Sequence, residues 1–138
     1  MRRKRLALLA FAGLAAGVAI AAAPRPPVWA EAQPGLWEIS GAPGAKAPLR
    51  QCVADIAALA EFEHRGKTCS LKAITNSGTS TVLEYSCGNA GFGRSEVDAI
   101  TPRSLRIDTQ GISNQLPFSY VLQARRVGDC PQQSATRH

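Results

Sequence analysis

At 138 residues the chain has room for one domain, and a composition of 45% hydrophobic and 19% charged residues is ordinary for a globular protein. The formal net charge of +6 is confined to the start, because Arg2, Arg3, Lys4, Arg5 and Arg25 fall in the first 30 residues with no acidic residue among them, leaving 11 basic against 10 acidic residues beyond. The pI of 9.6 therefore gives no support to nucleic-acid binding, which needs a basic face on the folded domain.

The chain opens on a leader. An uncharged apolar run of 18 residues, Leu6 to Ala23, follows the basic start and is closed by Pro24, Pro26 and Pro27, which is the composition of a secretory signal peptide. Pro24 disfavours cleavage directly after Ala23, so Val28-Trp29-Ala30 or Ala30-Glu31-Ala32 supplies the small residues, and the mature chain is predicted to start at Glu31 or Gln33. An uncleaved anchor is the competing reading, since the run approaches the length that spans a bilayer. Its Ala- and Gly-rich composition, poor in bulky residues, favours the leader. The chain thus divides into a signal peptide (1–30), a single β domain (31–130) and a disordered tail (131–138). The expected location is periplasmic or secreted, with membrane contact only through the leader before cleavage.

Leu36 to Ser40 alternates Trp37 and Ile39 against Leu36 and Glu38, a short strand with one bulky face. Leu49 to Val53 reads as a second strand. Asp55 is placed to cap a short helix through Ile56, Leu59 and Phe62, and Gly66 to end it. Two alternating segments from Cys69 to Cys87 flank the turn-rich Asn76 to Ser80 and predict a β-hairpin. With that five-residue loop, Ala73 faces Leu83, Leu71 faces Tyr85 and Cys69 faces Cys87. Gly88 to Arg94 lacks the Lys-Ser or Lys-Thr and the following helix of a phosphate-binding loop, and reads as a flexible connection. Ser95 to Ile100 and Ser104 to Ile112 form a second hairpin around Thr101-Pro102-Arg103, with Val97 opposite Ile107, Ala99 opposite Leu105 and Asp98 opposite Arg106. Phe118, Tyr120, Leu122 and Ala124 mark one face of a last strand. The expected fold is mainly β: a curved antiparallel sheet or partly closed barrel of six to seven strands, with one short helix and two disulfides.

Four cysteines behind an export signal read as disulfides. Their intervals include no short pair of the kind that zinc sites use, so no metal site is expected. The hairpin register favours Cys69 with Cys87, which leaves Cys52 with Cys130; Cys52 with Cys69 and Cys87 with Cys130 is the alternative.

Pro34-Gly35-Leu36-Trp37-Glu38, Gln51-Cys52-Val53, the isolated Cys69 and Cys87, and Arg125-Arg126-Val127-Gly128-Asp129-Cys130 form an ordered set. It resembles the secreted proteobacterial family catalogued as domain of unknown function 3617, from about Gln33 to Cys130. The resemblance implies an exported, disulfide-bearing, mainly β domain of bacterial origin and brings no established activity. The chain departs from the Met- and Gly-rich strands associated with that pattern, since its one Met is Met1.

Catalytic chemistry has little to stand on. Outside the tail the one histidine is His64, set among Glu61, Glu63, Arg65 and Lys67, which reads as a solvated charged face at a helix end. The expectation is a non-enzymatic binding or structural module of the cell envelope without catalytic residues, metal or cofactor. A periplasmic inhibitor or carrier is the first alternative, its partner an envelope protein or a small apolar ligand; an unrecognised enzyme is the second. Trp37, Tyr85 and Phe118 are the candidate ligand or core aromatics.

Overall fold

The computed structural model describes residues 32–131, with Gly17 alone before them; the leader and the tail beyond Pro131 lie outside the described residues. Seven strands form one antiparallel sheet: β1 (Gly35–Ser40), β2 (Leu49–Val53), β3 (Ser70–Ser77), β4 (Ser80–Ser86), β5 (Gly91–Thr101), β6 (Ser104–Ser113) and β7 (Leu116–Gly128). The spatial order is β2-β1-β7-β6-β5-β4-β3, and the sheet is not closed, so β2 and β3 are its edges.

This order dictates the path of the segment between β2 and β3. The two edges are six strand spacings apart, about 29 Å, so the connection has to traverse a whole face of the sheet. It does so as a strap holding the one α-helix of the described residues, α1 (Ala57–Ala60), and a 3₁₀ turn (Phe62–His64). Asp55 lies one residue before the N-cap, which is Ile56, and its Oδ1 accepts the Ala57 backbone N–H at 3.0 Å, while Gly66 leaves the strap at φ +75°. Ile56, Leu59 and Phe62 of the strap are buried against Trp37, Ile39, Leu83, Val97, Leu105, Ile107 and Leu122 from the inner face of the sheet. Burial of these side chains, at about 1.5–3 kcal/mol each, is the main force holding strap to sheet.

The second hairpin has the expected register, Val97 opposite Ile107, Ala99 opposite Leu105 and Asp98 opposite Arg106. The first hairpin departs from the expected five-residue loop. Ala73 faces Leu83 and Leu71 faces Tyr85, but pairing continues to Ser77 and Ser80 around a two-residue turn, Gly78-Thr79. Gly78 takes the left-handed conformation that this tight turn requires, and a bulge between Ala73 and Thr75 absorbs the one residue of difference. The alternation of apolar residues survives on both sides of the bulge. The Gly88 to Arg94 connection is also shorter than expected: Gly88–Ala90 is a 3₁₀ turn, and β5 already starts at Gly91.

Both disulfides have the favoured pairing, Cys69 with Cys87 across 18 residues of sequence and Cys52 with Cys130 across 78. Cys52 is the last residue but one of the edge strand β2 and Cys69 precedes β3, so the strap is covalently anchored at each of its ends.

Candidate functional site

The residues that carried the sequence resemblance meet in space. Arg126 donates from Nε to the Pro34 carbonyl at 3.0 Å and from Nη2 to Asp129 Oδ1 at 2.6 Å, clamping the two ends of the domain together. Gly35 lies under that clamp at φ +153°, where an added Cβ would meet the Arg126 guanidinium and the Gly128 carbonyl. Glu38 accepts from Arg125 at 3.3 Å and faces Arg50 at 3.4 Å, so one carboxylate joins β1, β2 and β7. Trp37 is fully buried, with Nε1–H donating to the Gln33 carbonyl at 3.1 Å. These are framework contacts around the chain ends, and they hold nothing open for a ligand.

His64 corrects the expectation of a solvated face. It is 4% exposed and lies beneath the strap, Nε2 at 3.1 Å from the Ala90 carbonyl and Nδ1 at 3.3 Å from the Tyr85 hydroxyl. Because a carbonyl only accepts, Nε2 carries the proton and donates to it, leaving Nδ1 to accept from the Tyr85 O–H. The imidazole edge also packs on the Tyr85 and Phe118 rings, at centroid distances of 5.4 and 5.8 Å. The 3₁₀ turn is the physical cause: its tighter winding carries Phe62 and His64 inward while their charged neighbours point out. Those neighbours seal the strap from outside, Arg65 stacking its guanidinium 3.9 Å from the Phe62 ring centroid and Glu63 accepting from the Tyr120 hydroxyl at 2.8 Å. Deeper in, Ser95 Oγ donates to the Ala60 carbonyl at 2.6 Å and lies 2.8 Å from Thr109 Oγ1. Both nitrogens of His64 are thus engaged, and Ser95 and Thr109 are fully enclosed.

Burial pushes the Tyr85 hydroxyl up to about 12, partly opposed by the Thr109 hydroxyl nearby. Burial and its bond to the Glu63 carboxylate push Tyr120 up as well. Glu61 is raised by desolvation and by Asp55, against a lowering influence from His64. For both tyrosines the folded state holds the proton beyond the ordinary value of 10, so their contribution to stability is complete below pH 10 and is lost as pH rises from 10 toward 12 for Tyr85. Denaturant unfolding at stepped alkaline pH should show stability falling over that window, with tyrosinate absorbance appearing only as the fold opens. Tyrosinate forming near pH 10 in the intact fold would contradict it.

Tyr85 and Phe118 also belong to a row that Trp37 does not share. Leu71, Tyr85, Gly93, Gly111 and Phe118 are cross-strand neighbours from β3 to β7. On the inner face the Tyr85 ring lies across Gly93, where a Cβ would run into it. On the outer face the backbone of this row is the floor of an open groove of about 1050 Å³. One wall is the apolar trio Phe92, Ile112 and Pro117, themselves cross-strand neighbours, with Phe92 55% exposed. The opposite wall is Lys72, Glu84, Arg94 and Gln110, the next row along the same face. The structure therefore places Trp37 in the core, and Tyr85 and Phe118 between the His64 cluster and the groove. Sequence reasoning missed this wall because the strands of Phe92 and Pro117 were drawn too short, which left Ile112 at the end of its predicted strand with no cross-strand neighbour.

Among the described residues no helix is long and apolar enough to cross a membrane, and no group of His, Cys, Asp and Glu is placed to hold a metal ion. A family model described as "Protein of unknown function (DUF3617)" matches residues 32–130. No curated protein and no solved structure matches the chain.

Proposed function

The chain belongs to the DUF3617 family of proteins of unknown function, and on that premise we propose that it is an exported, non-enzymatic domain of the cell envelope that binds an apolar ligand in the outer groove. The observation that carries this reading is the groove itself. Concave sites of several hundred Å³ that join an apolar wall to a few polar groups are where proteins hold small molecules. Soluble domains seldom leave apolar side chains gathered on one exposed face without a use for them. Here Phe92, Ile112 and Pro117 gather on a face that the fold does not need, since the core lies on the other side of the sheet.

Export is supported by the apolar leader and by the two disulfides, which persist in oxidising compartments. A non-catalytic role is supported by His64, the one histidine of the described residues, whose two nitrogens already serve the strap. The test uses protein recovered from a periplasmic fraction. N-terminal sequencing should begin at Glu31 or Gln33, and titration with the neutral fluorophore N-phenylnaphthylamine should saturate at one site. Phe92→Asp should abolish that signal without shifting the melting temperature. Unsaturable binding, or equal binding by Phe92→Asp, would show that the groove is not the site.

A further inference from the structure

Resting on the groove being a ligand site, we propose that its ligand is a single-chain amphiphile with an anionic head, the tail lying along Phe92, Ile112 and Pro117 and the head seated at Lys72. Three observations lead there. The groove is elongated, crossing five strands from β3 to β7, about 19 Å at the spacing of a sheet. That shape suits an extended chain better than a fused-ring compound.

The apolar side chains are also confined to one part of it. Phe92, Ile112 and Pro117 are on β5, β6 and β7, with Arg94 and Gln110 on the wall opposite them, whereas β3 and β4 present only Ser70, Lys72, Glu84 and Ser86 on the outer face. An occupant with one apolar and one polar end is the complement of that division. Burial of chain methylenes against the trio supplies affinity at about 0.8 kcal/mol each.

The sign of the head follows from the charges at the polar end. Arg94 is engaged with Glu84, Nη1 to Oε1 at 3.4 Å, so that carboxylate already has its cation. Among the described residues no carboxylate lies within ion-pairing distance of Lys72, although Glu84 is its cross-strand neighbour. The polar end therefore carries one cation in excess, on a flexible stem whose methylenes can lie along a ligand while the ammonium meets its head.

Calorimetric titration of the disulfide-bonded protein, below micellar concentrations, tests this with dodecanoate and dodecyltrimethylammonium, which share a tail and differ in the sign of the head. Dodecanoate should bind about tenfold more tightly, a difference that added salt diminishes, and Lys72→Glu should reverse the order. Phe92→Asp should abolish binding of both. Equal affinity for the two heads, unchanged by Lys72→Glu, would overturn the anionic assignment and leave the groove standing as an apolar site. Saturable N-phenylnaphthylamine binding without binding of either amphiphile would overturn the ligand class. Loss of all three ligands would overturn the groove reading as well.

Discussion

Replacing Cys52 and Cys130 together by serine is expected to cost about 4 kcal/mol of stability, the largest effect of any paired substitution proposed for this domain. In the chain-entropy account the 78-residue separation limits the unfolded chain by about 4.5 kcal/mol, against about 3 kcal/mol for the 18-residue separation of Cys69 and Cys87. The larger loop also encloses more of the fold, because it ties the edge strand β2 to the end of β7 around the Gly35 end of β1. For a domain whose total margin is on the order of 5–15 kcal/mol, that loss is a large fraction. Urea unfolding of the double variant should show a lower midpoint. Limited trypsinolysis should show faster cutting at Arg65 and Lys67, which lie exposed where the strap leaves the sheet. A variant with an unchanged midpoint and unchanged cutting would mean that β2 and the strap hold without their covalent anchor.

His64→Ala should cost about 3 kcal/mol, although the residue sits in a run of charges. The substitution leaves the Tyr85 hydroxyl without its His64 acceptor, removes one of the two donors to the Ala90 carbonyl while the Asn114 N–H stays at 3.2 Å, and opens a cavity against the Phe118 ring. Each buried polar group left unpaired costs about 1–3 kcal/mol. His64→Phe separates the two contributions, since it restores volume and ring contacts and leaves the hydrogen bonds unmade. Chemical denaturation of the two variants should order them wild type, His64→Phe, His64→Ala. If His64→Ala unfolds with the wild type, the histidine belongs to the surface after all.

That histidine shows where local pattern stopped being informative. The partners that bury it, Tyr85 and Ala90, are 21 and 26 residues away, and nothing in the run Glu61 to Lys67 reports them. What periodicity did expose was every strand whose inner face is filled by large apolar residues, together with two registers and the covalent pairing that follows from one of them. Strand ends escaped it wherever glycine replaced that filling. Gly91 and Gly93 made the start of β5 look like a loop, yet extending the Val97 to Ile107 register sets Gly93 opposite Gly111. That extension would also have set Phe92 beside Ile112, so the apolar wall of the groove was legible to register and invisible to composition. Trp37 shares only its aromaticity with Tyr85 and Phe118, and β7, β6 and β5 separate its strand from that of Tyr85.

The strap anchored at both ends also bears on how the chain reaches its oxidised form. Cys69 is 17 residues from Cys52 and 18 from Cys87, so loop closure brings it to either thiol at nearly the same rate. Diffusive encounter therefore does not choose between the hairpin bond and a ring around the nascent strap. The choice falls to whichever structure is present when a thiolate attacks, and a hairpin forms in microseconds, long before thiols exchange. The first hairpin thus acts as the template for oxidation, and the two native bonds are nested, so closing the inner one leaves the outer pair free to meet. Its tight turn at Gly78 and its bulge are then determinants of covalent fidelity as much as of shape: a sequence that delayed that turn would accumulate the wrong isomer without losing one native contact from its final fold.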